Sequence, residues 1–268
     1  MRVLLADKVA VVTGAASGIG RALARRFADE GAAAVVVADV NDAGAKTVAE
    51  QIEQDHPGVA IAVGCDVADD SSVRRLIDAA EATFGPIDLF FANAGIGGGT
   101  DLETADSDWD QAFAVNVKAH YFAARRLVPA WVARGDGYFC STASAAGLVT
   151  QIGSAPYSVT KHAALAFAEW LSVSFGGSGV KVSCLCPMGV NTNMLNADAA
   201  GISSDVVRAA GDVLEPEQVA GVVVDAIREE RFLILPHPEV LEFFRRKASD
   251  YDRWLKGMRR LQARVAQE

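Results

Sequence analysis

The decisive stretch of this chain is Lys8-Val9-Ala10-Val11-Val12-Thr13-Gly14-Ala15-Ala16-Ser17-Gly18-Ile19-Gly20. An apolar, β-branched run ends at Thr13, three glycines follow, and residues 21–30 then repeat apolar positions with helical spacing up to Gly31. Such a run is typical of a buried parallel strand. The glycines allow a tight turn and a close approach to a diphosphate, and the N-terminus of the next helix favours an anion. The stretch therefore predicts a strand, a turn and a helix that bind a dinucleotide.

The spacing of these glycines leaves an alternative open. It is Gly-x-x-x-Gly-x-Gly, whereas the standard dinucleotide fingerprint is Gly-x-Gly-x-x-Gly. An ordinary strand-to-helix turn is the competing interpretation. Three glycines at the end of one strand are more than such a turn needs, which favours the binding function.

Asp39 bears on the choice of cofactor. It ends a second apolar run, residues 33–38, at about the distance of twenty residues at which a carboxylate accepts hydrogen bonds from a ribose diol. The same carboxylate would repel a 2′-phosphate, and residues 15–17 supply no cation to neutralise one. These residues favour NAD over NADP. Alternatively, Asp39 caps the next helix, although Asn41 or Asp42 could do so instead.

Tyr157 and Lys161 form the candidate catalytic pair. They are four residues apart in a run that is typical of a helix, which places both side chains on one helical face. A phenol has a pKa of about 10, and an adjacent ammonium is expected to lower it. A tyrosine of this kind can transfer a proton when an alcohol is oxidised. The pair alone is common by chance, and a buried tyrosine with a solvated lysine is the alternative.

Several motifs taken together resemble a known family. The Thr-Gly-x-x-x-Gly-Ile-Gly stretch at 13–20, the triplet Asn93-Ala94-Gly95 and the Tyr157/Lys161 pair are similar, in order and spacing, to the short-chain dehydrogenase/reductase family. The resemblance extends from about Asp7 to Pro236. It implies hydride transfer between NAD and a secondary alcohol or ketone substrate.

The resemblance implies a catalytic group of four residues: Asn116, Ser144, Tyr157 and Lys161. Ser144, thirteen residues before Tyr157, would donate a hydrogen bond to the substrate oxygen. Tyr157 would exchange the proton, and Lys161 would bind the nicotinamide ribose and favour the phenolate. Asn116 would disturb its helix and hold a water that links Lys161 to solvent.

The resemblance also implies the cofactor contacts. Asn93 would brace the sheet and the cofactor, although Ala92 replaces the asparagine that usually precedes it. Met188 stands where glycine is usual and would narrow the space beside the nicotinamide. The expected cofactor-binding residues are Gly14, Ser17, Gly18, Ile19, Gly20, Asp39, Asp66, Val67, Asn93, Ala94, Gly95, Tyr157, Lys161, Pro187, Val190 and Thr192.

Two segments are expected to determine the substrate. Residues 193–214 have the composition of a mobile lid, or of a plain pair of surface helices. Residues 237–268 form an amphipathic helical extension that covers its own pocket or packs on a neighbouring subunit. His162 and His237 are interpreted as structural or solvent-facing. The expected substrate-binding residues are Ser144, Gln151, Ile152, Tyr157, Met188, Met194 and Leu195.

Composition and pattern predict one domain. At 268 residues and 51% hydrophobic content, the chain suits a single Rossmann-type α/β domain. Seven strands with helical crossovers predict a doubly wound parallel sheet with helices on both faces. A helix is expected over residues 108–134. Beside the strands already named, strands are expected near 59–65, 87–91, 138–142, 180–186 and 232–235.

The remaining features exclude several classes of partner. The net charge is −9, so nucleic acid is not expected, and no apolar run is long enough to span a bilayer. The first six residues are too short for a secretory signal, which favours a cytoplasmic protein. The four cysteines are interpreted as inert buried thiols, without a metal site.

Assembly and rival functions complete the expectations. The resemblance implies a homotetramer or homodimer formed through the helices that carry Asn116 and Tyr157. An NADP-linked carbonyl reductase is the first alternative function. The second is a dinucleotide-binding regulatory protein without turnover, against which the intact Ser144, Tyr157 and Lys161 argue.

Overall fold

A computed structural model of the chain describes residues 5–99, 102–197 and 202–265. Seven strands in these ranges form one parallel sheet in the order β3-β2-β1-β4-β5-β6-β7. They are β1 (Val9–Thr13), β2 (Ala34–Asp39), β3 (Ala60–Gly64), β4 (Leu89–Ala92), β5 (Gly137–Thr142), β6 (Val180–Leu185) and β7 (Leu233–Ile234). The predicted doubly wound parallel sheet is confirmed. Residues 1–4, the lid residues 198–201 and the tail residues 266–268 lie outside the described ranges.

Helices connect these strands and cover both faces of the sheet. They are α1 (Gly18–Asp29), α2 (Asp42–Asp55), α3 (Asp70–Phe84), α4 (Asp106–Phe113), α5 (Ala119–Arg134), α6 (Ala146–Val149), α7 (Ala155–Phe175), α8 (Asn193–Ala197), α9 (Ile202–Ala210), α10 (Pro216–Arg228), α11 (Glu239–Ser249) and α12 (Tyr251–Val265).

Successive residues of a strand enter two different cores. In β1, Val11 packs in the core beneath α3, α5 and α7, where Trp131 is fully buried. Val12 packs in the core beneath α1, α2 and α10, together with Phe27. Because both faces of the sheet are covered, the strands read as continuous apolar runs rather than as alternating ones.

The strand order reverses at β1, which lies between β2 and β4. The loops that follow β1 and β4 therefore diverge, and they leave a crevice beyond the carboxyl ends of the strands. The glycine turn follows β1, and Asn93 follows β4. The two motifs meet at this crevice.

The helix expected over residues 108–134 is present, and it is disturbed at Asn116 as the resemblance implied. A π-helix, Ala114–Lys118, separates α4 from α5, and Asn116 lies at its centre. Asn116 is fully buried and bonds to other elements, which explains why the regular helix gives way here.

The C-terminal extension packs on its own chain. α12 lies against α9, and Val265 near its end joins a small apolar cluster with Ile152 and Val206. Within the described ranges, no helix has both the length and the apolar character that crossing a bilayer requires.

Candidate active site

The glycine turn has no room for side chains. Gly14 has a φ of +65°, and a Cβ on it would come within 2.8 Å of the Ala94 Cα. A Cβ on Gly20 would lie 2.1 Å from the Gly14 carbonyl oxygen. The turn is therefore an open backbone cradle at the start of α1, the arrangement that accepts a diphosphate.

The other turn residues lie around this cradle. Ser17 is the N-cap residue of α1, and its hydroxyl makes no capping hydrogen bond. Ile19 packs partly buried against the core beneath α1. Gly18 has a φ of +52°, and a Cβ on it would lie 3.0 Å from the Thr192 methyl. Thr192 thus faces the glycine turn across the crevice.

Asp39 faces the glycine turn. One carboxylate oxygen accepts a hydrogen bond from the Ala16 N–H at 2.9 Å, and the other accepts from the Asn41 N–H at 2.9 Å. The cap of α2 is Asn41, whose side chain accepts from the Gly44 N–H. The alternative that Asp39 caps this helix is therefore wrong.

Asn93 braces three strands. Its amide nitrogen donates to the Thr13 carbonyl at the end of β1, at 2.9 Å. Its amide oxygen accepts from the Thr142 hydroxyl at the end of β5, at 3.1 Å. The Thr13 hydroxyl accepts from the backbone N–H groups of Asn93 and Ala94. The expected bracing of the sheet is present, and Thr13 and Thr142 contribute to it without having been predicted.

The segment after β3 carries two further predicted cofactor contacts. Asp66 is exposed, and its carboxylate accepts from the Ala68 N–H at 2.9 Å. Val67 is 8% exposed and packs into the core beneath α3. The two side chains thus lie on opposite sides of the chain beyond the carboxyl end of the sheet.

Ser144, Tyr157 and Lys161 converge at this edge of the sheet. Ser144 lies just beyond β5, and its hydroxyl is near enough to the Tyr157 phenol to influence the pKa of that phenol. The Lys161 ammonium lies 5.6 Å from the centre of the Tyr157 ring and donates to the Thr142 carbonyl at 3.0 Å. The sequence-predicted group is brought together in space.

Burial controls the pKa values of this group. Burial raises the pKa of the Tyr157 phenol above its ordinary value, and the nearby Ser144 hydroxyl offsets only part of that rise. Burial also lowers the pKa of the Lys161 ammonium to about 8. Lys161 was expected to lower the pKa of the phenol, and this prediction is wrong in this structure. Desolvation of Tyr157 raises the pKa of the phenol more than the neighbouring groups lower it.

Asn116 and Gly95 enclose the other side of Lys161. The Asn116 amide accepts from the Ile96 N–H at 2.9 Å and donates to the Ile96 carbonyl at 3.0 Å. It also donates to the Thr160 hydroxyl at 3.1 Å. A Cβ on Gly95 would lie 3.1 Å from the Lys161 nitrogen and 3.3 Å from the Asn116 oxygen. Asn116 thus holds the loop after β4 close to Lys161.

Residues 187–192 cross the mouth of the crevice. The Pro187 carbonyl accepts from the Ala145 N–H at 2.8 Å, next to Ser144. Val190 is buried, and it pairs with Leu214 in a short parallel bridge. The Met188 methyl lies towards Gly211, where an added Cβ would come within 2.7 Å of it.

The predicted substrate residues divide into two groups. The Gln151 amide donates to the Ser203 carbonyl of α9 at 3.1 Å, and Ile152 is 8% exposed beneath α9 and α12. These two residues hold the 193–214 segment. Met194 is 44% exposed, and Leu195 is partly buried on α8.

Two buried histidines were not predicted as part of the site. His120 is one turn after Asn116, and its Nδ1 lies 2.8 Å from the Ser141 hydroxyl. Burial and the nearby Lys161 lower the pKa of His120 to about 3, which keeps it neutral. His237 is also buried and bonds to the 187–192 segment. The spacing of His120 from Asn116 was the one signal that the sequence offered.

Comparison with known families gives a clear match. A family model described as short chain dehydrogenase matches residues 8–202. This range includes the glycine turn, Asp39, Asn93 and all four candidate catalytic residues.

Individual relatives agree with this match. The 1-deoxy-11-beta-hydroxypentalenate dehydrogenase of Streptomyces exfoliatus is 40% identical over 88% of this chain and 85% of its own length. The meso-2,3-butanediol dehydrogenase of Serratia marcescens is 35% identical over 81% of this chain and 86% of its own. A short chain dehydrogenase/reductase from Burkholderia phymatum, solved in complex with NAD, superimposes with a TM-score of 0.85 and 32% identity, covering 93% of this chain and 96% of that one.

Proposed function

The chain belongs to the short-chain dehydrogenase/reductase family, and on that basis we propose that it is an NAD-dependent oxidoreductase that interconverts a secondary alcohol and a ketone. The observation that carries the proposal is the convergence of Ser144, Tyr157 and Lys161 beside the open glycine turn. Two relatives are named for hydroxylated substrates, a hydroxypentalenate and a butanediol. These names support an alcohol as the reduced form of the substrate pair.

The residues at the crevice fit a dinucleotide. Any Cβ on Gly14 or Gly20 would clash with the backbone of Ala94 or Gly14, so both positions require glycine, and we assign the diphosphate to the backbone N–H groups of this turn. Asp39 would accept hydrogen bonds from the adenosine ribose, and Asp66 with Val67 would flank the adenine. When bound, the nicotinamide supplies the hydride donor or acceptor and, in its oxidised form, a positive charge that favours the phenolate.

The protein side chains then handle the proton. Ser144 would donate to the substrate oxygen and hold it against Tyr157. Tyr157 would take the hydroxyl proton in oxidation and return it in reduction. Lys161 would bind the nicotinamide ribose hydroxyls, with Asn116 fixing its position from the side of Ile96. Val190 and Thr192 would hold the nicotinamide carboxamide.

NAD rather than NADP is the proposed cofactor. The Asp39 carboxylate lies against the glycine turn, with both oxygens turned towards backbone N–H groups. A 2′-phosphate at the ribose would meet this negative charge. Titration of the wild-type protein with NAD and NADP tests this choice, and tighter binding of NADP would favour the alternative of an NADP-linked reductase.

The segment over the site is proposed to act as a lid. Gln151 and Ser203 join it to the loop before α7, and Ile152, Val206 and Val265 close an apolar contact with the tail. An apolar substrate would enter between this lid and the loop after β4. A plain pair of surface helices is the alternative, and it predicts no change in the lid when substrate binds.

A homotetramer or homodimer in the cytoplasm completes the proposal. Trp170, Val173 and Val159 are exposed on α7, and Tyr121 is exposed on α5. These apolar side chains suit pairing of the two helices with those of a second copy. Ala164 and Ala168, in contrast, pack inside the subunit.

Turnover of a panel of secondary alcohols, followed by the absorbance of reduced cofactor, tests the function. We expect Tyr157→Phe to lower the turnover by at least about 100-fold, the usual contribution of a positioned acid or base, while NAD binding persists. Tyr121→Phe, at an exposed tyrosine, is the matched control and should leave turnover unchanged. Wild-type activity in Tyr157→Phe would contradict the assignment. NAD binding without turnover of any alcohol or ketone would instead favour a regulatory protein.

A further inference from the structure

His237 joins the tail to the segment that crosses the mouth of the site. It follows β7, is 2% exposed, and both of its ring nitrogens bond to the backbone of 187–192. Nδ1 lies 3.2 Å from the Met188 nitrogen, and Nε2 lies 3.0 Å from the Gly189 carbonyl oxygen. The Met188 N–H is a donor, so Nδ1 must accept. Nε2 then carries the ring hydrogen and donates it in a hydrogen bond to the Gly189 carbonyl. The two partners thus fix one neutral tautomer.

Backbone groups also hold this segment. The Pro187 carbonyl accepts from the Ala145 N–H at 2.8 Å. The Gly189 carbonyl also accepts from the Leu214 N–H at 2.9 Å, and the Asn191 N–H donates to the Leu214 carbonyl at 2.9 Å. His237 therefore supplies a side-chain anchor that a substitution can remove while these backbone contacts remain.

We propose that His237 is a positioning residue for the nicotinamide half of the cofactor. It sets the orientation of the peptide groups at 188 and 189, and these lead directly to Val190 and Thr192. The inference rests on the proposed function, which assigns the carboxamide contacts to those two residues. His237 touches neither cofactor nor substrate in this scheme, and it acts only through the segment that it holds.

The scheme predicts an effect on one half of the dinucleotide. The adenosine diphosphate half is assigned to the glycine turn and Asp39, which have no contact with His237. Without the imidazole, the part-buried Met188 N–H loses its acceptor, and the segment gains freedom to adopt other arrangements. Binding of the nicotinamide then has to restore the order that His237 supplied beforehand.

A second tail residue provides the matched control. Lys247 of α11 is buried, and its ammonium donates to the Leu148 carbonyl at 2.7 Å. It also lies 3.4 Å from the His162 Nε2. Lys247→Met therefore loosens the tail at another point and leaves both bonds of His237 in place.

The experiment is calorimetric titration of the full chain with NAD and, separately, with ADP-ribose, which lacks the nicotinamide. His237→Phe keeps a ring of similar shape without hydrogen bonds. We expect it to bind NAD about tenfold more weakly, or about 1.4 kcal/mol, with unchanged affinity for ADP-ribose. His237→Asn retains an acceptor for the Met188 N–H and should recover part of the loss. Lys247→Met should bind both ligands as the wild type does.

Three results would overturn the inference. They are wild-type NAD affinity in His237→Phe, a parallel loss of affinity for NAD and ADP-ribose, or the same loss in Lys247→Met. If His237→Phe fails to fold, His237→Asn and His237→Gln decide by the same comparison of the two ligands. Failure of the wild-type chain to bind NAD at all would identify the proposed function, rather than the role of His237, as the error.

Discussion

Lys161 is a buried cation whose ammonium bonds to a carbonyl group. It is 2% exposed and donates to the Thr142 carbonyl, and burial lowers its pKa to about 8. A charge in such a place opposes folding, because water solvates an ammonium better than the protein interior does. The fold tolerates this cost at the position where the proposed mechanism requires a cation.

The depressed pKa of Lys161 predicts a pH-dependent difference in stability. Between about 8 and its unfolded value near 10.4, the unfolded chain binds a proton that the folded chain has released. The stability of the wild type relative to Lys161→Met should therefore rise with pH across this window, by up to about 3 kcal/mol. Below about pH 8 the buried charge is present, so the free energy of unfolding of the wild type should be lowest relative to that of Lys161→Met.

Urea unfolding of both proteins at several pH values measures this difference. Groups that Lys161 does not influence titrate equally in the two proteins and cancel in the comparison, and His120, which it does influence, has a pKa of about 3, well below this range. A difference in free energy of unfolding that stays constant from neutral to alkaline pH would contradict the lowered pKa of Lys161.

At the scale of single residues, the sequence predicted that Tyr157 and Lys161 lie together, but it misjudged the electrostatics of the phenol. The four-residue spacing of Tyr157 and Lys161 is a local property, and it correctly placed both side chains together. The pKa of the phenol depends on how much water the surrounding elements exclude, which the spacing does not contain. His237 could not be assigned for the same reason, since its partners lie 48 and 49 residues away.

At the scale of elements, the π-helix at Ala114–Lys118 has an identifiable cause. Asn116 makes three hydrogen bonds that no regular helix would supply, two to Ile96 and one to Thr160. Its partners lie 20 and 44 residues away in the sequence. The local pattern contained no glycine or proline at this point, so the disturbance at Asn116 was implied by the family resemblance and not by that pattern.

The bonds of Asn116 predict a large cost for their removal. Asn116→Ala leaves partly buried backbone groups of Ile96 without partners, and we expect the free energy of unfolding to fall by about 3 kcal/mol. Asn41→Ala removes one exposed capping bond and should cost about 1 kcal/mol. Urea unfolding compares the two variants, and equal small losses would show that the bonds of Asn116 contribute little.

At the scale of the whole molecule, the doubly wound sheet could be predicted because its evidence is local. Apolar runs such as residues 33–38 mark strands, and the helical spacing between them implies parallel crossovers. The surface on which the tail packs could not be predicted in this way. Its amphipathic pattern showed that it must cover an apolar surface, but Ile152 and Val206, which it covers, are far from it in sequence.

The contact of Val265 with the lid gives a prediction for the whole molecule. Val265→Asp places a carboxylate in the apolar cluster with Ile152 and Val206, so α12 should separate from α9 while the sheet stays folded. Burial of the valine side chain stabilises this contact by about 2 kcal/mol, and loss of the contact should free the 193–214 segment. Limited proteolysis should then cut within this segment faster than in the wild type. Gln262→Asp, on the exposed side of the same helix, is the control. Equal cleavage rates in the two variants would show that the tail does not hold the lid.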